Sequence, residues 1–345
     1  MPDYPQIPFQ ELVDALLNVD KPFHPRYLYR LSDLPDEDLD RLEATWSQVP
    51  LWRRQALMED IEELGESDFV LSFEAVGLLA VKDADPKVRL LGARTLWEFE
   101  ETKLIPLFSN LLINDKSPDV RAAAATGLGK FIYLGEIEEL PQKILVKVED
   151  LLLSVINGKD TPKVRCRALE AIGFSSRKEV APLIETAYTS GNKDWLTSAL
   201  FAMGRSANEK WIDKVVSMLQ HKIPAIRTEA ARAAGELDIK SVRQELFDLL
   251  DDDNEDVRAA AIWSLSQIGG EGVRDRLEDI QRKAQDEEEE DYLESALDNL
   301  SFNEEVDRFT LYELDEDLEE GDLEDLDDGT IEDDDFEEDG EDDEA

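Results

Sequence analysis

Cysteine and histidine are almost missing from this chain, and their scarcity excludes several kinds of chemistry. Cys166 is the only thiol among 345 residues, so no intrachain disulfide forms and a reducing, cytoplasmic setting is expected. Cys166 directly follows a repeat arginine, which reads as a packing or surface thiol and not a nucleophile. His24 and His221 are the only imidazoles, and neither has a partner at metal-ligand spacing, so no zinc site is expected. No apolar run reaches the ~18 residues of a membrane span, and MPDYPQIPFQ lacks the basic and apolar blocks of a secretory signal. Bases are scarce too: 37 Lys and Arg stand against 83 Asp and Glu, a formal charge of −46. That balance argues against nucleic acid as a partner, because phosphate binding relies on a clustered basic face. No nucleophile elbow or phosphate loop is present, and GLGKF (127–131) reads as the end of a helix instead of its opening. The acidic stretches 251–262 and 314–325 lack the glycine and ligand phase of a calcium loop. Neither a metal nor an organic cofactor is expected.

What the chain does have is a repeat. DADPKVRLLG (83–92), DKSPDVRAAA (115–124), KDTPKVRCRA (159–168), HKIPAIRTEA (221–230) and DDNEDVRAAA (252–261) share a turn residue, then Val or Ile, arginine, and a small residue three positions on. The arginines, Arg89, Arg121, Arg165, Arg227 and Arg258, are spaced by 32, 44, 62 and 31. The gap of 62 is twice 31, and a degenerate sixth copy sits midway in KDWLTSALFAMG (193–204), with Leu196 at the arginine position. A period near thirty in an alanine- and leucine-rich chain means stacked helical hairpins, each burying its apolar face on the next.

Each copy opens a helix. Asp85, Ser117, Thr161 and Asn254 supply side-chain caps, while Pro86, Pro118, Pro162 and Pro224 take the first helical position, where no amide partner is lost. Val88, Val120, Val164, Ile226 and Val257 precede the arginines and begin a stripe at helical spacing. Gly129, Gly173, Gly204 and Gly235 follow the stripe, marking either a helix end or a close approach of the next hairpin. Amphipathic segments at 103–113, 141–155, 180–188, 211–219 and 242–250 are the first helices of the hairpins, and the 44-residue gap implies a lengthened first helix plus loop.

The pattern resembles the HEAT-like repeat proteins, in particular the short bacterial type found in phycobilin lyases. The resemblance implies an all-α fold, an α-solenoid of stacked helical hairpins. It also implies pairing of an aspartate with the arginine six residues later, which Asp83/Arg89, Asp115/Arg121 and Asp252/Arg258 satisfy. Lys159 and His221 replace the aspartate and Leu196 the arginine elsewhere, so the ladder is expected to break mid-array. HEAT-like hydroxylases that use iron carry His-Glu pairs, which this chain lacks. The expected organisation is a cap over 1–35, a solenoid of about eight hairpins over 36–302, and a disordered acidic tail over 303–345. From residue 286 on there are 33 acids and one base, Arg308, a net of −32, and like-charge blocks of that density rarely fold.

Two sets of residues invite a binding reading. Lys163, Arg167 and Arg205 belong to a middle segment, 140–245, that is locally +4 from 17 bases and 13 acids; they form either a solvated surface or an anion-binding groove. Phe302, Phe309, Leu311 and Tyr312 lie among carboxylates, as either a recognition motif that orders on binding or the last capping turn. Trp97, Trp195, Trp211 and Trp263 read as core packing before a cofactor box. The function expected from these features is a non-enzymatic scaffold or adaptor that binds a protein partner on a curved repeat surface, with the acidic tail modulating access. A bilin-lyase-like or other modifying enzyme acting on a partner protein is the alternative.

Overall fold

The computed structural model describes residues 7–68, 70–284 and 287–324, with side chains as far as residue 306. The chain divides into two compact units, Met1–Ser264 and Leu265–Ala345, and among the described residues there are helices and turns but no strand. A first helix α1 (Phe9–Leu17) and two 3-10 turns (Pro25–Tyr27, Tyr29–Leu31) precede the array. Hairpins then follow in order: α2 (Asp36–Trp46) and α3 (Leu51–Ser67), α4 (Glu74–Ala80) and α5 (Pro86–Thr95), α6 (Leu104–Asn114) and α7 (Pro118–Glu136). Next come α8 (Gln142–Ile156) and α9 (Pro162–Ala171), α10 (Val180–Tyr188) and α11 (Lys193–Arg205), α12 (Ile212–Val216) and α13 (Pro224–Glu236). The last are α14 (Arg243–Leu249) and α15 (Glu255–Ile268), then α16 (Val273–Gln281) and α17 (Glu287–Glu324). The fold is an α-solenoid of stacked helical hairpins.

The repeat motif starts the second helix of each hairpin. Asp85 accepts from the amides of Lys87 (3.0 Å) and Val88 (3.2 Å), and Thr161 and Asn254 cap in the same way. Ser117 does not: its side chain makes no capping bond, and the turn is held instead by Asp115 Oδ1, which accepts from the Ser117 amide at 2.8 Å. Val88, Val120, Val164, Ile226 and Val257 are each at most 1% exposed, which places the stripe in the core and supplies the main force for stacking.

The glycines mark close approach. A Cβ on Gly129 would lie 3.1 Å from Ala171 Cα, one on Gly173 3.0 Å from Ala202 Cα, one on Gly204 3.0 Å from Ala233 Cα, and one on Gly235 2.9 Å from Ser264 Cα. Each glycine sits eight residues after the repeat arginine position and meets the residue six after it in the next copy. Successive second helices therefore touch backbone to backbone at a fixed register. Gly129 lies inside α7, because Phe131, Ile132 and Leu134 continue its buried face. The GLGKF stretch thus falls mid-helix, and the extra residues of the 44-residue spacing are shared between α7 (19 residues) and α8 (15 residues). The lengthened first helix is α8, as expected over 141–155, whereas the extension of the second helix α7 departs from the first-helix-plus-loop expectation.

In the first unit, Phe9, Leu12 and Leu16 of α1 share a core with Leu31 and Leu42. Arg53 is 2% exposed, and its Nη2 donates to the carbonyls of Asn18 (2.8 Å) and Lys21 (2.9 Å), fastening the N-terminal segment to α3. In the second unit, α16 packs on α17, with Val273, Leu277, Leu293, Ala296 and Leu300 buried. Asn299 and Asn303 donate to Ser266 Oγ (3.0 Å) and Ser266 O (3.1 Å). The α17 backbone runs on past residue 303 to Glu324; the acidic tail from 325 lies outside the described residues.

Candidate functional site

The ladder is built differently from its sequence spacing. Arg89 Nη1 donates to the backbone carbonyl of Asp83 at 2.9 Å, while its Nε and Nη2 grip the carboxylate of Asp115, 26 residues on, at 2.7 and 2.9 Å. Arg121 likewise holds the Asp115 carbonyl (2.8 Å) and forks onto Asp160 at 2.8 and 2.7 Å. Arg227 donates to His221 O (2.7 Å) and forks onto Asp252 at 2.8 Å through both arms. Arg258 holds the Asp252 carbonyl at 2.9 Å. The six-residue pairing is therefore to a carbonyl, and in Arg89, Arg121 and Arg227 the ion pair joins the arginine to the aspartate of the following copy. Asp160, one residue beyond Lys159, restores a rung that the spacing appeared to lose. The guanidinium forks hold Asp160 and Asp252 below the usual carboxylate range. Burial pulls Asp115 the other way, and its fork and backbone bonds still leave it low.

The ladder does break in the middle, as expected. Arg165 donates through Nε to Ile156 O at 2.8 Å, its guanidinium lies 5.2 Å from the Trp195 ring, and no carboxylate reaches it among the described residues. Leu196 offers no guanidinium to the next turn, where His221 Nδ1 accepts from the Ile223 amide at 3.1 Å.

Lys163, Arg167 and Arg205, singled out from charge, converge on one groove of about 360 Å³ between the second helices of successive hairpins. Arg94, Trp97 and Phe201 line it as well. Lys163 is paired with Asp119 at 2.5 Å, and Arg167 with Glu170, whose Oε1 also accepts from Ser198 at 2.6 Å. Arg205 differs. Its guanidinium lies 4.3 Å from the Phe201 ring centroid and 4.8 Å from that of Phe174, its Nη1 reaches the Glu170 carbonyl at 3.4 Å, and no carboxylate lies within ion-pair distance among the described residues. Burial lowers its pKa.

Next to Arg205, α13 contributes Glu229 and Glu236. Loss of hydration pushes Glu236 up to about 7 against the pull of Arg205, and Glu229 also rises through burial. Glu236 is exposed as a residue, with its Oε2 against Gly204. Trp97 occupies the position that glycine holds in later copies. Its Nε1 donates to Ala123 O at 3.0 Å, and its ring lines both the groove and a second cavity of about 210 Å³ against Ile61, Phe73 and Phe99.

The other nominated residues do not join this site. Phe302 is 65% exposed on α17; the backbone at Phe309, Leu311 and Tyr312 is helical, and their side chains lie outside the described residues. Cys166 is buried, which pushes its thiol pKa up. Trp211 is a core residue at 3% exposure, whereas Trp97 and Trp195 face cavities. Charge signalled the bases, but nothing in the sequence placed Arg94, Phe201 or Glu236 beside them. Among the described residues no group of three or more His, Cys, Asp or Glu is placed to hold a metal ion.

Backbone contacts at fixed register and an arginine ladder between copies define a helical-repeat protein. Residues 74–142 and 212–298 match the family model for HEAT repeats, and the chain carries HEAT repeats in those two stretches. No curated protein matches the chain. Among solved structures it is similar to the Escherichia coli protein YibA, at 22% identity over 81% of this chain and 98% of that one, with a TM-score of 0.40. It is also similar to the complex of CpcE and CpcF of phycocyanin lyase from Nostoc sp., at 17% identity over 66% and 94%, TM-score 0.44. Human deoxyhypusine hydroxylase is similar at 16% identity over 85% and 97%, TM-score 0.35.

Proposed function

We propose that this chain is a non-enzymatic, cytoplasmic scaffold or adaptor that holds an acidic segment of a partner protein in the Arg205 groove. The observation that carries this reading is Arg205 itself: a cation close to the Phe174 and Phe201 rings, facing a groove, with Glu236 near it but no carboxylate within ion-pair distance among the described residues. A fixed arginine of that kind favours a carboxylate that arrives from outside, and the neighbouring rings accept an apolar residue beside it. Repeat arrays offer extended surfaces suited to such segments. The tail modulates access by charge: its carboxylates compete with the partner for the same bases, an effect that weakens as salt screens charges beyond about 8 Å at physiological ionic strength. No helix among the described residues is long and apolar enough to cross a membrane.

Affinity capture from native lysate tests the reading, with the full chain beside a Lys163→Glu/Arg167→Glu/Arg205→Glu variant. Proteins retained by the first, lost by the second and carrying acidic segments are the expected result. The same retained set on both would overturn it. A chain ending at Glu324, binding the identified partner more tightly at low salt than at high salt relative to the full chain, is expected from the competing tail.

A further inference from the structure

We propose that the vacated rung at Arg165 is a second binding site, a receptor for a carboxylate brought in trans. Every other arginine at this step of the first unit, from Arg89 to Arg227, closes a fork on the aspartate of the next copy, Arg165 and the substituted Leu196 excepted. Counting back six from Leu196, the residue that should answer Arg165 is Ser190. Ser190 occupies the aspartate's place in space as well as in sequence. Its Oγ accepts from the Asn192 amide at 3.2 Å, the same bond that Asp83, Asp115 and Asp252 Oδ1 accept from the amide two residues on, at 2.8, 2.8 and 2.9 Å. The turn is kept, and only the carboxylate that would reach back to the arginine is gone.

In its place is an open cavity of about 260 Å³, lined by Arg165, Ser190 and Trp195 with Leu183, Thr186 and Ala187. Only Nε of Arg165 is engaged, by Ile156 O; Nη1 and Nη2 have no hydrogen-bond partner among the described residues. A half-buried guanidinium edge with two free nitrogens, stacked on an indole, matches the planar fork of a carboxylate better than any other common group. The site is separate from the Arg205 groove and stands whether or not that groove binds. An acidic side chain of a peptide and a free dicarboxylate share this chemistry.

The test uses the full chain and two probes, fluorescein-labelled pentaglutamate followed by anisotropy and glutarate as its competitor. Ser190→Asp rebuilds the missing rung from within, and Arg165→Gln removes its fork. Each is expected to weaken probe binding about tenfold or more, the worth of a charge-assisted bidentate contact. Ser154→Asp adds the same charge on the exposed face of α8 and should leave binding unchanged. Ser190→Asp should also raise the Tm, since it closes a rung that the wild type lacks. Weakening confined to the peptide makes the site a peptide subsite, and weakening of both probes makes it a small-carboxylate site. Affinities for both probes that stay at the wild-type value in Ser190→Asp and Arg165→Gln would overturn the proposal.

Discussion

The rungs from Arg89 to Asp160 and the stretch from Arg165 to His221 are built on one repeat, yet one carries the arginine–aspartate ladder and the other does not. In the first stretch each arginine satisfies a carbonyl of its own turn and a carboxylate of the next. In the second, Ser190 and His221 stand where the aspartate should be and Leu196 where the arginine should be, so only carbonyl contacts such as Arg165 to Ile156 O remain. The stacking does not falter there: Gly129, Gly173, Gly204 and Gly235 keep the same close approach across the break. Continuity of the array therefore rests on the backbone contact and the buried stripe, and the ladder is an addition that can be withdrawn locally. Where it is withdrawn, a cavity opens.

The largest expected effect falls on a closed rung. Arg121→Ala leaves Asp160 uncompensated and should lower stability by about 3 kcal/mol, read from urea melts, whereas Arg165→Ala should cost less than about 1 kcal/mol. Equal losses would break the comparison. Next is Gly235→Ala, expected to cost about 2 kcal/mol because the added carbon meets the Ser264 backbone, even though alanine favours a helix by up to about 1 kcal/mol. Gly65→Ala sharpens the point: its carbon would meet only the Phe73 ring, at 3.7 Å, so there the propensity gain of up to about 1 kcal/mol should show as stabilisation.

A smaller effect concerns pH, and its sign differs between Glu236 and the ladder aspartates. Glu236 rises from 4.5 to about 7, so the folded state holds the proton more tightly and stability declines as pH climbs through that window. Glu236→Gln should flatten the slope in thermal melts taken across it. The ladder aspartates are held low, so their contribution is lost on acidification below their ordinary value of 3.8, and a melt series there should be indifferent to Glu236→Gln. A slope between 4.5 and 7 that survives the substitution would assign it to another group.

Local signals carried most of the fold into view. Proline at the first helical position, the cap before it and the buried valine repeat within one turn of chain, so Pro86, Pro118, Pro162 and Pro224 could be read directly. The ladder's true partners could not, because Arg89 and Asp115 are 26 residues apart and nearer acids compete for notice. Asp160 escaped for a related reason: a shift of one residue in the turn is invisible to a fixed spacing and trivial for a long arginine side chain. The groove was half legible. Excess charge over 140–245 pointed to Lys163, Arg167 and Arg205, but Arg94 and Trp97 belong to a different copy and reach the groove only through stacking. The length of α7 was missed because Gly129 carries the mark of a helix end while serving as a contact point inside one.

Since each rung joins one copy to the copy after it, the ladder has a direction, and most cuts in the array would strand an arginine on one fragment and an aspartate on the other. The connection between Arg165 and Ser190 is different: dividing the array there severs no rung. That makes this stretch a natural seam in the ladder of the first unit, a place where modules could be exchanged, spliced or grown without losing an arginine–aspartate rung.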